Sequence, residues 1–175
     1  MILSLFKRKA SRSSVRAVYG AIVAAARHEK PYAEWGVPDS VDGRYDMIIL
    51  HAVLVLERLS RGDAAAQAFA QALTDEVFAD MDRSLREMGV GDLSVGKKVR
   101  RMAEMFYGRA QAYRPLLQAG DQAGLAEALG RNVFAGVEDA EGARHLAVYA
   151  VTALAHLHER PIEPILSGTV EFPEP

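Results

Sequence analysis

Three groups of residues in this sequence have types and spacings that bear on chemistry. Gly91-Asp92-Leu93-Ser94-Val95-Gly96-Lys97 matches GxxxxGK, the opening of a phosphate-cradling loop. Such a loop needs a strand entering it, a helix leaving it, and a Ser or Thr after the Lys to hold magnesium. Here a helical pattern enters and Lys98 stands in the Ser/Thr position. The glycines are therefore expected to reverse the chain between two helices instead. The second group is acidic: Glu76 and Asp80 lie one helical turn apart, Asp75 and Asp82 two turns, so each pair shares a helix face. Helical di-metal centres add Glu-x-x-His from partner helices, a pattern the chain lacks, and Arg83 and Arg86 are spaced to neutralise these acids. The third group is His28, His51, His145, His156 and His158. His156 and His158 diverge on a helix, and His51 sits in an apolar run that suits a hydrogen-bonded core histidine. With no HExxH and no GxSxG, nothing selects a nucleophile or a metal, and the chain is read as a protein without catalytic, cofactor or metal residues.

Charge and composition narrow the classes further. The net charge is -2 over 175 residues, so the molecule as a whole is not built to coat nucleic acid or anionic lipid. KKVRRM beside Phe106 and Tyr107 can supply phosphate contacts and stacking, but the acids of the preceding helix lie close by. Direct, specific nucleic-acid binding is not expected, although a ribosome contact would have a similar look. There is no cysteine, which removes disulfides and thiolate chemistry and fits a reducing compartment. Lys7, Arg8, Lys9 and Arg12 make a basic N-terminus suited to a peripheral membrane contact. Its apolar residues precede the basic ones, the reverse of a secretory signal. The longest apolar run, Met47 to Leu56, is about half of the ~20 residues a membrane span requires, and reads as a buried core helix.

The elements that must position these residues are helical. A first helix is expected from about Ser14 to Glu29, ending before Pro31. A loop, YAEWGVPDSVDGR, follows, and then a second helix from Tyr45 to Arg61. Asp63 is the expected N-cap of the third helix. Phe69, Leu73, Val77, Met81, Leu85 and Met88 form its apolar stripe and Gly89 its left-handed end. Asp92 or Ser94 is expected to cap a fourth helix, whose stripe is Val99, Met102, Ala103, Phe106, Ala110, Tyr113 and Leu117. The short connection makes the third and fourth helices an antiparallel hairpin, an acidic-rich helix beside a basic one. A fifth helix runs from Gly120 and Asp121 to near Gly136, and a sixth from Ala140 to Glu159, stopped by Pro161 and Pro164. The expected architecture is an all-α, single-domain bundle of about six helices. Residues 1–13 are a basic flexible N-terminus, 14–160 the helical domain, and 161–175 a C-terminal tail expected to be partly ordered at best.

Three segments carry a more specific signal: GVPDSVDGRYDMIILHAVLVLERL, FADMDRSLREMGVGDLSVGKKVRRMAEMFYGRAQAY and LAEALGRNVF. Together they resemble the ubiquinol–cytochrome c chaperone family, over roughly Tyr19 to Phe134 and more weakly beyond. The resemblance implies a helical, non-enzymatic chaperone that holds newly made cytochrome b of respiratory complex III. It further implies a neighbouring ribosome and a helper subunit. The absence of a long Arg- and Ser-rich targeting extension fits a bacterial-type member, cytoplasmic and peripheral at the inner membrane, better than a mitochondrial matrix protein. The expected working surface is an apolar groove with a charged rim, the rim being Asp80, Asp82, Arg83, Arg86, Lys97, Arg100, Arg101 and Arg109. Trp35, Tyr45, Phe106 and Tyr107 divide between core packing and contact. The rival expectation is a lipid- or quinone-binding helical domain with a pocket lined by Met81, Met88, Met102 and Phe106.

Overall fold

The run Met47–Leu56 is apolar on every side of a helix, which asks for a position surrounded by other helices rather than one at the surface. A computed structural model, which describes residues 11–134 and 141–175, places it there. Among these residues the chain forms eight helices and no strand: α1 (Arg12–Ala26), α2 (Glu29–Ala33), α3 (Val41–Ser60), α4 (Ala64–Glu87), α5 (Asp92–Ala119), α6 (Gln122–Asn132), α7 (Glu141–Glu159) and α8 (Glu163–Ser167). α3 is the centre of an all-α bundle, packed against α1, α4, α5 and α7. Met47, Ile49, Leu50, Ala52, Val53, Leu54 and Val55 are completely buried in it. No helix among the described residues is long and apolar enough to cross a membrane.

Local signals set most helix ends. Asp63 Oδ1 accepts hydrogen bonds from the backbone N–H of Ala65 and Ala66, at 3.0 and 3.1 Å, capping α4 as expected. Gly89 ends the reversal after α4 with φ of 81°, a conformation that side chains with a Cβ rarely adopt. α4 and α5 pack as neighbours on either side of this turn, forming the expected hairpin. Gly142 answers a different need: a Cβ there would lie 1.7 Å from the Trp35 carbonyl oxygen, so only glycine lets α7 approach that loop.

Several boundaries differ from expectation. α3 starts at Val41 rather than Tyr45, because Ser40 Oγ caps the Gly43 N–H at 3.1 Å. α1 ends at Ala26, and Pro31 lies inside the short α2 rather than marking a stop. In the first turn of a helix the N–H that proline lacks has no intrahelical partner to lose. α5 has Gly91 at its N-cap with no side-chain cap, and Asp92 is already helical. The C-terminal segment is more integrated than expected. Pro164 opens α8 instead of blocking structure, Ile165 and Val170 are buried, and Phe172 meets His51 edge-on with ring centroids 5.1 Å apart. Lys30 Nζ also donates to the Pro175 carbonyl at 2.8 Å. Lys7, Arg8, Lys9, Gly136 and Ala140 lie outside the described residues, whereas Arg12 opens α1.

Candidate functional site

His51 and the carboxylate candidates are held by internal ties. His51 is fully buried; its Nδ1 donates to the Met47 carbonyl at 2.8 Å, so Nε2 is the acceptor for the Tyr149 hydroxyl at 2.9 Å. Burial pushes its pKa down to about 4, which keeps the ring neutral with both nitrogens occupied. Asp80 accepts from the Tyr19 hydroxyl at 2.7 Å and pairs with Arg83. Glu76 faces Arg16 of α1 at 3.5 Å, and Asp75 accepts from Gln71 at 2.9 Å. Asp82 pairs with Arg86 at 2.7 Å, and Arg86 also reaches Asp92 across the turn. Among the described residues no group of three or more His, Asp or Glu is placed to hold a metal ion. The phosphate-loop match dissolves as well, because Asp92 through Lys97 are turns of α5 and not a loop.

The charged hairpin therefore works differently from the expected pairing of an acidic helix with a basic one. Asp80 and Asp82 pair with Arg83 and Arg86 within α4, Glu76 faces Arg16 of α1, and one ion pair, Arg86 to Asp92, crosses the turn. Lys97, Lys98, Arg100 and Arg101 are exposed on α5 and have no ion-pair partner among the described residues.

Arg109 is the departure from the expected rim. Its side chain is only 12% exposed and lies 2.6 Å from Asp46 on α3, itself buried. Burial pushes the Asp46 carboxyl up to about 6, against the opposing pull of the Arg109 guanidinium. Its helical spacing from Arg100 and Arg101 suggested a surface residue, and no local signal shows that a carboxylate on another helix waits for it.

The methionines expected to line a lipid or quinone pocket do not converge. Met81 is buried and its sulfur accepts from the Tyr45 hydroxyl at 3.2 Å, whereas Met88 is 56% exposed at the hairpin turn. The Tyr45 hydroxyl also lies 3.0 Å from the Met102 carbonyl. Trp35 stacks on His145 at 5.8 Å, so it serves the α7 contact and not an open surface.

What the fold does open is a groove of about 240 Å³ over α3, between α4 and α5. Its accessible apolar lining is Leu56 of α3, Ala70 of α4, and Tyr107 and Ala110 of α5, laid over the buried Val53 and Phe106. Phe78 braces the α5 wall, 5.4 Å from the Phe106 ring and 5.7 Å from Tyr107. The polar edge is Ser60, Gln67, Gln71, Thr74 and Arg114. These groups already have internal partners: Gln67 Nε2 donates to the Ser60 carbonyl at 3.0 Å, and Thr74 Oγ1 to the Ala70 carbonyl at 2.9 Å. Arg114 Nε and Gln118 Nε2 each lie 2.9 Å from the buried carboxylate of Glu57. The edge side chains are thus held in place, while the remaining Arg114 N–H groups and the glutamine amide oxygens stay at the open rim for water or a partner's polar atoms. Sequence reading identified Phe106 and Tyr107 but missed Gln67, Gln71, Thr74 and Arg114. The one available signal was Glu57, an acid closing an apolar run, which needed a partner. A wider cleft of about 630 Å³ lies at the α2–α3 corner; it is polar, and its Arg44 and Asp39 engage each other at 2.7 Å.

Comparison with known proteins gives this groove its context. The ubiquinol-cytochrome C chaperone family matches residues 33–172. The solved structure described as the Cbp3 homolog from Brucella abortus is similar over 99% of this chain and 97% of that one, with 41% sequence identity and a TM-score of 0.85. No curated protein matches. The family match spans most of the chain and includes the groove, the hairpin and the C-terminal segment, and so the chain belongs to the ubiquinol–cytochrome c chaperone family.

Proposed function

We propose that this protein is an assembly chaperone without catalytic activity that holds a newly made membrane-protein client, cytochrome b of ubiquinol–cytochrome c reductase. The observation that carries the reading is the groove whose accessible apolar lining is Leu56, Ala70, Tyr107 and Ala110 over the buried Val53 and Phe106, and whose polar edge is anchored by internal hydrogen bonds. A client helix laid in it gains about 25 cal/mol for each Å² of apolar surface covered, before ordering costs. Holding of this kind needs no reacting group, only a surface that shields apolar side chains until they are buried elsewhere. The protein acts at the membrane face, where such a client is inserted.

The charged residues around the hairpin divide in this proposal. Asp80, Asp82, Arg83, Arg86 and Arg109 keep the hairpin and α3 in place through the ties described above. Lys97, Arg100 and Arg101 remain available to a partner. The test is affinity capture from a respiring cell, with an unrelated helical protein as the reference bait. Enrichment of cytochrome b over the reference is the expected result; equal recovery from both baits removes the client assignment. Recovery of ribosomes alongside the client would place the capture at synthesis.

A further inference from the structure

The turn end of the α4–α5 hairpin is a second surface, separate from the groove. Leu93 is fully exposed and Met88, on the other side of the turn, is 56% exposed. Both are unbranched at Cβ and apolar, and the fold leaves Leu93 wholly uncovered and Met88 about half so. On α5, Lys97, Arg100 and Arg101 follow Leu93 at steps of four, seven and eight residues, which puts all four on one face. That face is opposite the stripe of Val95, Met102 and Phe106 that packs inward. Lys98 stands beside them, and none of the four cations has an ion-pair partner among the described residues. Between Asp82 and Glu104 the chain has six cations against four acids, an excess of two positive charges in a protein whose net charge is -2. Two of those acids, Asp82 and Asp92, are engaged by Arg86.

We propose that this hairpin end docks on an anionic lipid bilayer, with Leu93 and Met88 entering the headgroup region and Lys97, Lys98, Arg100 and Arg101 meeting lipid phosphates. Exposed aliphatic side chains with a run of cations on one side are matched to that interface, where apolar atoms sink a few ångströms and charges stay among the headgroups. A nucleic acid would ask instead for an aromatic platform beside the cations. The nearest exposed one on α5 is Tyr107, which rests on Phe78 roughly 20 Å along the helix from Leu93. Docking here would hold the groove next to the membrane from which the client segment comes.

The experiment is co-sedimentation of the full chain with vesicles of phosphatidylcholine alone or mixed equally with phosphatidylglycerol. Binding is expected only with the mixed vesicles and should fall as salt is added. Leu93→Asp should lower the partition coefficient tenfold or more, and Lys97→Ala with Arg100→Ala by about 25-fold, at roughly fivefold per cation. Val148→Asp, at another exposed apolar position on α7, should bind like the parent. The proposal is overturned if the parent does not bind the mixed vesicles, or if the hairpin variants bind as well as it does. Equal loss with Val148→Asp overturns it too, as does single-stranded RNA being retained through these residues while vesicles are not. The groove reading is tested separately, since hairpin-end variants leave the groove lining untouched.

Discussion

The centre of α3 and the end of the hairpin treat the same kinds of residue in opposite ways. Around α3 every potentially reactive group is sealed: His51 between Met47 and Tyr149, Asp46 against Arg109, Glu57 between Arg114 and Gln118. At the hairpin end an aliphatic residue is fully exposed and four cations are unpaired among the described residues. The contrast teaches that in this chain charged and apolar residues read alike in sequence but differ in duty. Those with partners support the bundle; those without are free to meet something else. The groove lies between the two, its polar edge tied down and its carbon surface open.

The comparison is broken most forcefully at the sealed end. Arg109→Ala strands Asp46 in the interior, and loss of one partner of a buried pair costs about 3–5 kcal/mol. Because burial already raises the Asp46 carboxyl to about 6, the stranded group should take a proton. Chemical denaturation should therefore find the variant less impaired below about pH 6 than above it. An equal deficit across that range would mean that Asp46 does not titrate in the interior.

A slightly smaller effect is expected from His51. Its pKa is depressed in the folded state, so the stability it contributes is fully present above 6.5 and is lost as pH falls toward about 4. Over that window the loss is about 3 kcal/mol. Asp46 opposes it, because a raised carboxyl favours the folded state increasingly as pH falls through about 6 toward 3.8. The difference between parent and His51→Gln isolates the histidine: the parent should lose its advantage over the variant as the solution is acidified. A constant difference would assign His51 no titrating role in folding.

The smallest stability effect belongs to the open end. Leu93→Asp should change stability by less than about 0.5 kcal/mol, because Leu93 has no contacts to lose. A thermal midpoint lowered as far as in Arg109→Ala would show that the hairpin end is part of the structural core, and would erase the contrast.

Much of the fold was legible because it depends on periodicity and punctuation. The stripe from Phe69 to Leu85, the cap at Asp63 and the turn at Gly89 are local signals, and each appears where its residues place it. The all-round apolar character of Met47–Leu56 likewise announced a central helix. The errors lie where partners come from far along the chain. Arg109 looks like its neighbours on α5 until Asp46 is brought to it, and the tail from Ile165 to Phe172 looks loose until His51 and α1 receive it. The groove was legible only in part for the same reason: its floor, wall and edge come from three helices, and no single helix displays the surface they make together.

The central claim is that this groove holds the client, and the direct measurement is cytochrome b capture by groove variants that remain folded. Ala110→Glu and Ala70→Glu place a charge in the apolar lining at partly exposed positions, and should reduce capture at least tenfold with an unchanged far-ultraviolet circular dichroism spectrum. Leu93→Asp should capture detergent-solubilised client as the parent does. Undiminished capture by the folded groove variants would contradict the account and place the client elsewhere on the bundle.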